Sequence, residues 1–114
     1  MKTLILLAVV TLLSGCAIDP ISQSDNWHQV GYQDGARGFN ARSYSQLGHI
    51  SATQQTEYDQ GYNEGIRYYC NPNFAYQIGL SGQEYLGVCD GMKQGQKFRM
   101  EWQRGWNAYQ SSAM

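Results

Sequence analysis

The segment Gly31-Tyr32-Gln33-Asp34-Gly35-Ala36-Arg37 recurs as Gly61-Tyr62-Asn63-Glu64-Gly65-Ile66-Arg67, thirty positions later. Self-similarity at a fixed offset marks a repeated structural unit. Glycines four apart constrain the fold strongly, because in a helix both fall on one face and leave it without side chains. A weaker third copy, Gly91-Met92-Lys93-Gln94-Gly95-Gln96-Lys97, keeps the offset, both glycines and a cation two places after the second.

Each copy lies in a stretch with helical periodicity. Residues 25–44 align Trp27, Gly31, Gly35 and Gly38, and residues 53–69 align Tyr58, Gly61, Tyr62, Gly65 and Tyr69. In residues 92–109, Met92, Gly95, Arg99, Trp102, Trp106 and Tyr109 recur at three- and four-residue steps, with Asp90 placed to cap the start. The pattern predicts a mainly α fold: a small three-helix arrangement with Gly-x-x-x-Gly helix contacts. Glycine inside an exposed helix costs roughly 1 kcal/mol against alanine, so close packing must offset it. A neighbouring backbone, or one of the rings among 9 Tyr and 3 Trp, can occupy the bare face. The same composition also admits Gly/Tyr-rich strands and turns. A membrane helix-pairing motif is opposed by Asp34, Arg37, Asp59, Glu64, Arg67, Lys93 and Lys97 within the segments.

The amino end carries an address. Met1-Lys2-Thr3 is followed by the apolar run from Leu4 to Leu13, too short for a bilayer span of roughly 20 residues but suited to a signal peptide. Leu13-Ser14-Gly15-Cys16 resembles the bacterial lipobox. The resemblance implies cleavage after Gly15, diacylglycerol on the Cys16 sulfur and, in many bacteria, a further acyl chain such as palmitate on its amine. Two or three chains anchor stably where one does not. Ala17, rather than an aspartate, stands after the cysteine, which favours the periplasmic face of the outer membrane. Residues 1–15 thus read as signal peptide, 16–24 as lipidated tether with a break at Pro20, and 25–114 as one small periplasmic domain.

Two cysteines remain, Cys70 and Cys89, in a compartment that oxidises paired thiols. A redox or metal role lacks support, since they form no C-x-x-C and neither has a nearby His. One disulfide is expected, closing off residues 71–88. Asn71-Pro72-Asn73 and the spaced glycines of that segment predict an irregular ordered loop with one short helical turn. Its Phe74, Tyr76 and Tyr85 form a candidate binding surface, unless they cover the helices beneath.

From Trp27 to Tyr109 the pattern resembles an uncharacterised family of proteobacterial lipoproteins classed as a domain of unknown function. The likeness rests on the Trp27-to-Gly38 segment, on Gly61 to Cys70 with its Tyr68-Tyr69-Cys70 end, and on Gly79, Gly82 and Tyr85-Leu86-Gly87-Val88-Cys89. It implies an exported lipoprotein with a paired-cysteine loop and brings no activity, cofactor or partner.

No residue set amounts to a catalytic or metal site. His28 and His49 stand at no ligand spacing, and neither a nucleophile elbow nor a phosphate loop is present. Asp34 and Glu64, three residues before Arg37 and Arg67, suit intrahelical ion pairs; brought together by packing, they would make the carboxylate pair of a cell-wall hydrolase. The mature chain carries 7 Lys/Arg against 9 Asp/Glu, giving no electrostatic reason to expect nucleic acid. The leading expectation is a non-enzymatic envelope protein, held to membrane lipid through Cys16, without cofactor, contacting an envelope protein. The alternative is a glycan or peptidoglycan binding module built on the aromatic side chains, and a hydrolase comes last.

Overall fold

The computed structural model describes residues 26–112. The signal segment 1–15, Cys16 and the tether 16–24 lie outside the described residues. Four helices form the described domain: α1 (Trp27–Ala36), α2 (Ala52–Tyr69), α3 (Pro72–Leu80) and α4 (Gly95–Ser112). No strand occurs among the described residues, so the mainly α reading holds and the strand alternative falls. No helix among them is long and apolar enough to cross a membrane.

Local chemistry sets the helix ends. The Asn26 side chain accepts from the backbone N–H of Gln29 to start α1. Ser51 and Gln54 form a reciprocal capping box at the head of α2. Asn71 caps α3, with Pro72 in the first turn, where a missing N–H costs nothing. That start was misread in the sequence as part of an irregular loop, because Asn-Pro-Asn signals a turn and a helix N-terminus alike.

α1 and α2 run parallel, seamed by their glycines. A Cβ on Gly31 would lie 2.1 Å from the Tyr58 carbonyl oxygen, and one on Gly35 would lie 2.4 Å from that of Tyr62. Reciprocally, a Cβ on Gly61 would lie 1.8 Å from the His28 carbonyl oxygen and one on Gly65 2.3 Å from that of Tyr32. Partner numbers rise together along both helices, and the 37–51 connection returns the chain to the starting end. Only glycine permits this approach, which sets Cα–H groups against carbonyl oxygens.

α3 and α4 repeat the scheme with different offsets. A Cβ on Gly79 would lie 2.2 Å from the Trp102 carbonyl oxygen, and one on Gly105 2.0 Å from that of Tyr76. Adding 44 to a position in α1, and 40 to one in α2, gives its counterpart: Gly35 and Gly79, Gly65 and Gly105. The helix stops correspond too. Gly38 and Gly82, at φ +78° and +87°, end α1 and α3 in Schellman motifs. The Tyr69 ring covers Gly38, and the Tyr109 ring covers Gly82. The Tyr62 hydroxyl donates to the Phe39 carbonyl at 2.7 Å, and the Trp102 indole donates to the Gln83 carbonyl at 2.9 Å, again at matching positions. In the second pair, Ala75 and Glu101 stand where the first has Gly31 and Gly61, so one glycine per helix suffices.

The expected third copy is therefore not a helix seam. A Cβ on Gly91 would meet nothing within 4 Å, and Gly95 faces the Cys89 carbonyl where α4 begins. Asp90 is likewise no helix cap, because α4 starts five residues later and its carboxylate takes other partners.

Cys70, at the end of α2, and Cys89, ahead of α4, form the expected disulfide across a separation of 19 residues. Both are fully buried in a cluster with Ile66, Tyr69, Ala75 and Phe98, which joins the two helix pairs. A second cluster of Trp27, Val30, Leu47 and Tyr58 fills the first pair.

Candidate functional site

The two pairs treat one core position differently. Asp34 is buried, only 3% exposed, and accepts the Tyr58 hydroxyl at 2.7 Å and Arg42 Nη2 at 2.9 Å. Burial, reinforced by the Asp34 carboxylate, pushes the Tyr58 phenol well above its ordinary range, against a donated bond from the Arg42 backbone N–H. The counterparts in the second pair are Ile78 and Phe98, an apolar couple in place of a polar one. Changing both partners together removes the buried hydroxyl and the buried carboxylate at once, which is how the same framework accommodates either couple.

This network overturns the ion pairs expected within the helices. Asp34 turns into the seam rather than along the surface to Arg37, and Glu64 pairs with His28 at 3.2 Å rather than with Arg67. Asp34 and Glu64 thus serve separate partners instead of one carboxylate site. His49 has φ 60° and packs edge-on against Tyr44. No group of three His, Cys, Asp or Glu side chains suited to a metal occurs among the described residues.

Arg37 is left exposed and, among the described residues, without an ion pair. It lines a cleft of about 240 Å³ at the junction of the helix pairs, together with Ala36, Tyr68, Tyr69, Phe74, Ile78 and Gln83. Gln83 Nε2 donates to the Arg37 carbonyl at 3.0 Å and ties the end of α1 to the end of α3. The Tyr68 and Phe74 rings lie 5.4 Å apart and form an apolar wall, both substantially exposed. Tyr69 is buried against Phe98, and its hydroxyl has no hydrogen-bond partner among the described residues. Burial alone pushes that phenol up to about 12. A buried hydroxyl without a partner costs about 1–3 kcal/mol.

Of the three aromatics singled out in the sequence, Phe74 lines this cleft. Tyr76 is half-buried beneath the Arg104 guanidinium, 4.6 Å from its ring centroid. The Tyr85 ring packs on Phe98 and Trp102, with Arg99 over it at 4.9 Å. Its hydroxyl donates to Asp90 at 2.7 Å and accepts the Cys89 N–H at 2.9 Å. Burial and the Asp90 bond push the phenol up to about 12, while Tyr85 and then Arg99 hold the Asp90 carboxyl below its ordinary value. Tyr85 therefore braces the disulfide loop. Sequence reading did not join Arg37, Tyr68, Tyr69, Ile78 and Gln83 into one site, because they meet only through packing; the Gly31-to-Arg37 repeat and the Tyr68-Tyr69-Cys70 run touched three of them separately.

The family described as "Protein of unknown function (DUF2799)" matches residues 26–107. "Uncharacterized protein YfiL" of Escherichia coli (strain K12) is 30% identical over 110 residues, covering 92% of this chain and 90% of that protein. No solved structure matches the chain.

Proposed function

From the premise that this chain belongs to the DUF2799 family of proteins of unknown function, we propose that it is a non-enzymatic envelope lipoprotein that acts through protein contacts. Acylated Cys16 anchors it in the outer membrane, facing the periplasm. The observation that carries the reading is the contrast between its polar groups and its cleft. Asp34, Asp90, Glu64 and Glu101 are engaged in bonds that brace the helices, while the cleft offers an apolar wall and Arg37, which has no ion pair among the described residues. An apolar hollow with a few polar groups is the usual form of a recognition site. The test is a photo-crosslinking amino acid in place of Phe74 in intact cells, with the same substitution at exposed Met100 as control. A discrete adduct to one envelope protein, formed from position 74 and absent from position 100, is expected. Equal, heterogeneous products from both positions would refute the reading.

A second reading, binding to glycan, draws support from α4. The Trp102 and Trp106 rings stack at 5.3 Å, and Trp106 and Tyr109 lie 5.5 Å apart, a row of the kind sugars stack on. Co-sedimentation with purified cell wall, lost on Trp106→Ala, would favour it over protein contact.

A further inference from the structure

The geometry points to the cleft between the helix pairs as a receptor for the carboxyl-terminal residue of a partner polypeptide, one with an apolar side chain. The inference rests on the protein-contact reading above and supplies the chemistry of the partner. Size comes first. Pockets that enclose drug-sized ligands span roughly 300–1,000 Å³. A hollow of about 240 Å³ falls below that range and suits one side chain rather than a run of sugars or an acyl tail.

The lining sets the occupant's polarity. Tyr68, Phe74 and Ile78 supply apolar surface, and Ile78 stands where the other helix pair has buried Asp34, so this face takes up apolar matter. Arg37 stands beside it without an acidic partner among the described residues. A guanidinium in that position favours a carboxylate, which it binds through paired N–H donors. The Tyr69 hydroxyl is buried out of reach of the cleft, so Arg37 supplies the charged contact. Apolar group and carboxylate must therefore sit on adjoining atoms of the ligand. Within an internal segment the nearest carboxylate belongs to a different residue's side chain. A terminal residue carries both on one Cα.

The test is NMR titration of the full chain, labelled at isoleucine methyl groups, with N-acetyl-L-phenylalanine. Ile78 reports on the cleft, and Ile50, packed against the Trp27 cluster, serves as internal control. Millimolar probe should move the Ile78 signal and leave Ile50 in place. N-acetyl-L-phenylalaninamide, which lacks the charge, should bind about tenfold more weakly, a difference of about 1.4 kcal/mol. Arg37→Gln should abolish that preference while the Ile50 and Ile66 signals keep their positions, reporting an intact fold. Equal binding of acid and amide, a response to N-acetylmuramic acid instead, or no movement of Ile78 with any probe would each overturn the proposal. An adduct from position 74 in cells combined with a silent titration would sink this inference alone; loss of the adduct would sink the protein-contact reading.

Discussion

Replacing Gly61 by alanine is the sharpest test of the glycine seam, because two effects of opposite sign meet at that position. In an exposed helix the change would stabilise by about 1 kcal/mol through propensity. Here the new Cβ would lie 1.8 Å from the His28 carbonyl oxygen and 2.7 Å from its carbon, against 3.4 Å or more for ordinary contact. Both neighbours are backbone, so no side chain can swing aside. The helices must part by more than an ångström, and gaps of 0.5–1 Å already forfeit roughly a quarter to a half of each dispersion contact along the seam. Overpacking on this scale costs about 3 kcal/mol or more, leaving a net loss of roughly 2–3 kcal/mol after the propensity gain. A domain of 87 described residues has about 4–13 kcal/mol in total, so Tm should fall by roughly 10–20 °C. Calorimetry of Gly61→Ala beside Gly91→Ala, where a Cβ meets nothing within 4 Å, reads this directly. An unchanged or raised Tm for Gly61→Ala would refute the seam.

Further predictions follow from the core and the staple. Cys70→Ser with Cys89→Ser should lower stability by about 3 kcal/mol, seen as a lower urea midpoint, because a loop of 19 residues is no longer closed in the unfolded chain. Tyr58→Phe should cost about 1–3 kcal/mol, because Asp34 Oδ2 loses its donor while Oδ1 keeps Arg42; adding Asp34→Ile, the couple found as Ile78 and Phe98, should recover part of that loss in urea denaturation. Alkali should unfold the domain: Tyr69 and Tyr85 titrate at about 12 when folded and near 10 when unfolded, so the unfolded chain sheds protons first. Their contribution is complete below pH 10 and drains away as pH rises towards 12, so tyrosinate absorbance should climb together with loss of helical circular dichroism.

How much of this was legible depends on distance along the chain. The Gly31/Gly35 and Gly61/Gly65 pairs were visible because facing helices carry the same motif at one offset. The matching of the two helix pairs was hidden because it needs two offsets, one per helix, and because Ala75 and Glu101 replace a glycine in each. α3 was read only as one short helical turn within a loop, since Asn71 and Pro72 serve a helix start as well as a turn. The disulfide was accessible by counting alone, once Cys16 was assigned to lipid. The cleft was not, because its walls come from residues 36–37, 68–69, 74, 78 and 83, and because Asp34 turns inward and leaves Arg37 without an ion pair among the described residues.

The proposed lipid anchor at Cys16 is tested most directly by the intact mass of the mature chain, taken from membranes without reduction. The account predicts a chain that begins at Cys16, carries diacylglycerol with or without a third acyl group, and is two hydrogens lighter for the bond between Cys70 and Cys89. A chain still beginning at Met1, or a processed one free of fatty acid, would contradict it.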